Sequence, residues 1–164
     1  MGLNIVLAYA GGPVCAKSAR IAQMQICTSI SVGDSLLSGR SKFFVETERL
    51  SVAIQRAREG KPVIFLVDEI LSGTNSVDRA IVASAFLEEM LAGDTVGALT
   101  THDLSLTKIA TEEGSRGLLV HMESNDPDDP LHFDYKVKAG ISAQSSAIAI
   151  AKMMGIEGVS KKAR

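Results

Sequence analysis

Residues 62–75 read PVIFLVDEILSGTN, and the fold turns on them. Five apolar residues rich in β-branched and aromatic types, Val63 to Val67, follow Pro62 and stop at Asp68-Glu69. An unbroken apolar run of this length predicts a strand buried on both faces of a mostly parallel sheet. In open α/β sheets, ligands sit at the carboxyl ends of strands, which is where this acidic pair falls. Asp68 there is a candidate Mg²⁺ ligand, because Mg²⁺ is hard, keeps much of its water and is held by one or two carboxylates. Glu69 beside it is placed to orient or deprotonate a water that attacks a γ-phosphate. The same local pattern also fits a strand end whose acids face solvent or pair with a lysine.

The run that follows repeats the design. "GALTTH", residues 97–102, passes from apolar to polar and ends at His102. Adjacent strands ending in Asp-Glu and in His would bring an imidazole near the attacking water, where it can exchange a hydrogen bond with a phosphate. His102 also fits the start of the next helix, and Asp103 is an equally good cap there. His121 and His132 lie on later strands without ligand spacing, and no HxxxH or CxxC pattern points to zinc.

Elements alternate around this centre. Phe43 to Glu59 reads as a helix with Phe43, Leu50, Ile54 and Ala57 on one stripe and Glu46, Arg49, Arg56 and Glu59 away from it. Gly60 and Pro62 stop it. Asn75 or Ser76 caps a helix that runs to about Leu91 and ends at Gly93. "LSLTKIAT" is a short helix, and "SAQSSAIAIAKMMG" a final one ended by Gly155. Residues 20–31, 117–124 and 131–138 read as strands, and residues 31–41 as a small, polar loop. Leu3 to Ala10 is apolar and fits either a strand or the last turns of a buried helix. The alternation predicts an α/β fold with one sheet.

Composition narrows the function classes. The 164 residues are enough for one domain with a real core; 46% are hydrophobic, only 4% aromatic, and there is no Trp. A net charge of −2 gives no electrostatic case for nucleic-acid binding by this segment as a whole. No apolar run is long enough to span a membrane, and no basic region of a signal peptide opens the chain. Cys15 and Cys27 lack metal spacing and read as reduced thiols. A soluble, cytoplasmic chain without membrane contact is expected.

Three further stretches carry a resemblance. "DSLLSGRSKFFVETERL", "FLVDEILSGTNSVDR" and "TTHDLSLTKIA" occur in the order and spacing of the MutS-family ATPase domain, and "VKAGISAQSSAIAIAKMMGI" resembles its final helix. The resemblance runs over essentially the whole chain from Gly2. It implies a P-loop NTPase fold of the ABC type that works as a homodimer, with composite ATP sites at the interface. By resemblance Asp68 is the Walker B acid at the Mg²⁺ site, Glu69 the catalytic base and His102 the switch histidine. "SGTNSVD" is similar to the D-loop, which implies that Thr74 and Asn75 reach toward the partner's site. Ser41 matches the serine that opens the signature helix and contacts the γ-phosphate held by the opposite subunit. Free N–H groups and the helix dipole favour an anion there, and Arg40 beside it either adds charge or is an ordinary surface arginine.

Two departures matter. "DEILSGTN" stands where mismatch-repair enzymes usually carry Ile-Gly-Arg-Gly-Thr, and it is closer to MutS-related proteins without the mismatch-reading domain. A DNA-associated ATPase is the implied activity. The family's P-loop precedes a helix whose end resembles "GLNIVLAYAGG", so the P-loop strand is expected upstream of Met1, as are the domains that hold DNA. "GGPVCAKS", Gly11 to Ser18, is one residue short of a P-loop, but Pro13 has no N–H and Ala16 replaces a required glycine. It reads instead as a helix end and connector. The expected product is a partial ATPase domain over residues 1–157, its P-loop strand missing and expected beside the acidic strand, with a basic flexible tail at 158–164. Two alternatives use the same residues: a nucleotide-incompetent dimerisation module built on Ser41 and the D-loop surface, and an unrelated metal-dependent hydrolase using Asp68, Glu69 and His102.

Overall fold

The computed structural model describes residues 1–30, 41–112, 114–124, 126, 129, 131–142 and 146–156. Arg40 and the 158–164 tail lie outside the described residues. Two compact units are present, Met1–Arg116 and Gly117–Arg164.

The first unit is a three-stranded parallel sheet with helices. Its elements are α1 (Gly2–Tyr9), β1 (Gln25–Ser29), α2 (Lys42–Arg58), β2 (Val63–Val67), α3 (Ser76–Ala92), β3 (Thr95–Leu99), a 3₁₀ turn (Leu104–Leu106) and α4 (Thr107–Thr111). β2 is central, flanked by β1 and β3. All five of its residues are buried, as an unbroken apolar run requires. Alternate residues serve opposite faces. Val63, Phe65 and Val67 join Leu50 and Ala53 of α2 and Ala83, Phe86 and Met90 of α3. Ile64 and Leu66 join Ile5 of α1, with Ile21, Met24 and Ile26 packed around them. The three strands share one register, so Ser29, Val67 and Leu99 end in a single row.

The apolar run at the N-terminus resolves as helix. α1 stops in a left-handed turn: Gly11 has φ 73°, its N–H donates to Ala8 O at 3.0 Å, and the Gly12 N–H donates to Leu7 O at 2.8 Å. This double closure is the glycine stop that ends many helices. A P-loop requires a strand before it and a helix after it, whereas here a helix precedes and residues 13–24 form neither element. The connector is tied back instead. Asn4 Oδ1 accepts from the Cys15 N–H at 3.2 Å, and the Tyr9 hydroxyl donates to Ala22 O at 2.7 Å and accepts from the Met24 N–H at 2.8 Å.

Three expectations need correction. The sheet is not single, because the second unit has its own antiparallel pair. There β4 (Val120–His121) faces β5 (Lys138–Ala139), with an isolated bridge between Ser124 and Phe133, and α5 (Ser146–Met153) follows. The two predicted late strands shrink to this short ladder. His121 is held structurally, its Nδ1 3.0 Å from Gly140 O and its Nε2 3.4 Å from Glu123. Next, a further strand has no place beside β2. Its two edges are bonded to β1 and β3, so only the outer edges of those strands are available, and on β3 Val96 is half exposed.

Glu46 is the third correction. It belongs to the buried face of α2, not the solvated one, because it lies one turn before Leu50. Among the described residues its Oε2 has no hydrogen-bond partner, and Lys42 Nζ stands 3.9 Å from Oε1. Burial pushes its carboxyl above the usual value, with Lys42 and Arg49 pulling partly back. A carboxyl raised on folding favours the native state only when protonated, so its benefit is present at low pH and lost as pH rises through the folded value. Glu46→Gln is therefore expected to stabilise the protein by about 1 kcal/mol at neutral pH. That advantage shrinks as pH falls toward the ordinary glutamate range of about 4. Urea unfolding at the two pH values checks both statements.

Candidate functional site

The shared register places Asp68 and Thr100, the first residues past β2 and β3, side by side beyond the sheet. Asp68 continues the ladder on one side by donating its N–H to Ser29 O at 2.8 Å. On the other side the Thr100 N–H donates to Val67 O at 2.9 Å, and the Ile70 N–H to Thr100 O at 3.3 Å. Thr100 then links the acidic pair. Its hydroxyl donates to Asp68 Oδ1 at 2.8 Å and accepts from the Glu69 N–H at 2.8 Å. Thr100 was not singled out from the sequence. Its place follows from strand register, since β2 and β3 pair in step up to Val67 and Leu99 and so put the first residue past each strand side by side.

The chain turns sharply here. Glu69 and Leu71 both adopt left-handed backbone, with φ 51° and 53°. For side-chain-bearing residues this costs on the order of 1 kcal/mol each, and such strain persists where surrounding structure over-determines it. Ile70 and Leu71 supply that restraint by being buried in the core beneath the turn. The result is an Asp68-Glu69 pair held out into solvent on a rigid support. Glu69 is 58% exposed and His102 95% exposed, and His102 Nε2 stands 3.6 Å from Glu69 Oε1. That separation is outside hydrogen-bond range, so neither group is committed to the other.

Ser41, Thr74 and Asn75 form a second grouping. Ser41 caps α2, its hydroxyl accepting from the Phe44 N–H at 3.2 Å. Asn75 caps α3, its Oδ1 accepting from Val77 and Asp78 N–H groups at 3.0 and 2.9 Å. The two caps are neighbours through Gly73. A Cβ at Gly73 would lie 3.4 Å from the Phe43 nitrogen and from Lys42 Cβ, so the 72–74 turn abuts the first turn of α2. Of the two caps the sequence offered for α3, Asn75 and Ser76, the structure uses Asn75, and the Ser41 hydroxyl and Asn75 amide oxygens each accept from their own helix.

The donor set fits one hydrated Mg²⁺ bound through Asp68 in company with phosphate oxygens, since Mg²⁺ needs only one or two carboxylates. It does not fit an all-protein metal cage. Among the described residues, no group of three His, Cys, Asp or Glu side chains is arranged to hold a metal ion. Among the described residues, no helix is long and apolar enough to cross a membrane.

Comparison with known proteins identifies the family. Residues 1–164 match the family profile of MutS domain V. The chain is 32% identical over 162 residues to the DNA mismatch repair protein MutS of Streptococcus uberis, covering 96% of this chain and 18% of the relative. It is 31% identical over 160 residues to the DNA mismatch repair protein MutS 2 of Haloarcula marismortui, covering 95% of this chain and 16% of the relative. The chain therefore spans less than a fifth of the length of these relatives.

Proposed function

The chain belongs to the MutS domain V family, and on that premise we propose that it supplies the magnesium and water-activating half of a dimeric, DNA-associated ATPase. Asp68 holds the Mg²⁺ that accompanies ATP, Glu69 is the base toward the attacking water, and His102 responds to the γ-phosphate. The observation that carries this reading is the row at the end of the parallel sheet, where Thr100 locks Asp68 and the Glu69 main chain together. A general base of this kind contributes about 10²–10⁴-fold to turnover. ATP binding and hydrolysis need a phosphate-cradling loop, and the pattern GxxxxGK[ST] is absent from these 164 residues. We assign that loop to sequence preceding Met1, forming a P-loop NTPase of the ABC type together with this chain. Its strand would pair at an outer sheet edge.

Ser41 and the 72–75 turn are assigned to the homodimer contact, Ser41 toward a phosphate of the opposite site and Thr74 and Asn75 toward the partner. Their adjacency through Gly73 supports one continuous contact surface. DNA contact is assigned to other parts of the protein, in a mismatch-repair or related transaction, as the names of both relatives indicate. A second reading, a dimerisation module that binds no nucleotide, is favoured by residues 13–24, which form no phosphate cradle.

The test is ATP hydrolysis by the protein carrying its preceding sequence. Turnover is expected to require Mg²⁺, and specific activity to rise with protein concentration as dimers form. Absence of Mg²⁺-dependent hydrolysis at concentrations where the protein is dimeric would favour the second reading.

A further inference from the structure

His102 is almost fully exposed, with Glu69 Oε1 3.6 Å away. For a side chain so exposed, the fold sets the position of its Cα and the direction of its Cα–Cβ bond, while χ1 and χ2 stay open to several staggered rotamers. The main chain that carries it is fixed from two sides. Thr101 Oγ1 accepts from the Asp103 N–H at 3.0 Å, which closes the turn around His102. Asp103 then divides its carboxylate. Oδ1 accepts from the Ser105 N–H at 3.0 Å and the Ser105 hydroxyl at 2.6 Å, capping the 3₁₀ turn. Oδ2 faces Arg79 Nε at 3.9 Å.

Arg79 comes from a different element. It sits in the first turn of α3, its N–H donating to Asn75 O at 3.1 Å. Its Nε is buried and makes no hydrogen bond among the described residues, and the nearest carboxylate oxygen faces it there. Hydrogen bonds from Ser105, and after them the charge of Arg79, hold the Asp103 carboxyl below the usual aspartate value, which keeps the pair ionic. Thr101 and Ser105 belong to the turn itself, whereas Arg79 reaches it from outside.

We propose that Arg79 is a positioning residue for His102: paired with Asp103, it fixes the turn that carries His102 beside Glu69 and ties that turn to the Asn75-capped start of α3. This rests on the proposed function for what His102 does, but not for how His102 is held.

Asp103→Asn separates the pair from the cap, because Asn caps a helix about as well as Asp yet offers Arg79 no charge. Arg79→Met removes the charge from the other side, and Arg79→Lys restores it. His102 ring-proton shifts are read by NMR in the 164-residue chain at fixed pH. Asp103→Asn and Arg79→Met are expected to move these signals to the same new position. The double variant should move them no further, and Arg79→Lys should return them toward wild type. If His102 does not move in the folded variants, or if the two displacements add, Arg79 is only a structural residue and the inference is overturned. Should Arg79→Met fail to fold, Asp103→Asn alone still decides it. In the protein with its preceding sequence, kcat for ATP should fall about tenfold in Asp103→Asn with KM unchanged. An unchanged kcat in a wild type that turns over would also count against the inference. A wild type without turnover defeats the proposed function and leaves the NMR result standing.

Discussion

Glu69→Gln is expected to lower Mg²⁺-dependent ATP turnover at least about 100-fold while leaving ATP affinity within about threefold. Gln keeps the size and shape of the side chain but removes the carboxylate proposed to take the proton. A 100-fold loss corresponds to about 2.7 kcal/mol of transition-state stabilisation. The turn should survive the change, because its restraint is main-chain and apolar. The Glu69 N–H donates to Thr100 Oγ1, and Ile70 and Leu71 anchor the backbone in the core. Nor does the carboxylate hold His102, which stands beyond hydrogen-bond range. Binding and chemistry are therefore separable at this position. Single-turnover and nucleotide-binding measurements on the same preparation check them together. Turnover within about threefold of wild type would remove Glu69 from the role of base and leave Asp68 as the only assigned acid in the reaction.

The parts that could be read from the sequence share a physical cause. Residues 63–67 had one stable solution, since five consecutive apolar side chains need cover on both faces, and α1, α2 and α3 provide it. Asn75 and Asp103, each one of two candidate caps, were legible because short polar side chains before apolar stretches satisfy free helix N–H groups, whereas Ser41 was placed by resemblance alone. Glu46 misled for the opposite reason. Its position, four residues before Leu50, put it on the buried face, but its charge argued for solvent, and geometry won at the cost of an unpartnered oxygen. Thr100 and Arg79 were hidden because their partners lie in other elements. Thr100 meets Asp68 only through strand register, and Arg79 meets Asp103 only through the packing of α3 beside the 3₁₀ turn. The late strands were overread, since alternation over residues 117–124 and 131–138 says nothing of how many residues actually pair.

Phe86→Ala should be the most damaging single change to stability, at about 3–5 kcal/mol. Phe86 is 2% exposed and stands edge-on to Phe65, with ring centroids 5.6 Å apart and planes at 87°. The favoured geometry of such a pair adds roughly 0.5–1.5 kcal/mol beyond its buried area. Its neighbours cannot easily close the gap. Val63, Ala83 and Met90 are fully buried, and Phe65 is fixed in the central strand by hydrogen bonds on both edges. Against a typical total of about 5–15 kcal/mol, this loss would leave a large unfolded fraction in a domain at the lower end. Val52→Ala serves as the control, because Val52 is 45% exposed on the same helix layer and its truncation should change stability by only about 0.5 kcal/mol. Urea unfolding followed by circular dichroism distinguishes the two. A loss below about 1 kcal/mol for Phe86→Ala would mean that the α3 face of β2 is not close-packed. The rigid support beneath Asp68 and Glu69 would then have to come from elsewhere, and the strained backbone at Glu69 and Leu71 would lack the restraint that accounts for it.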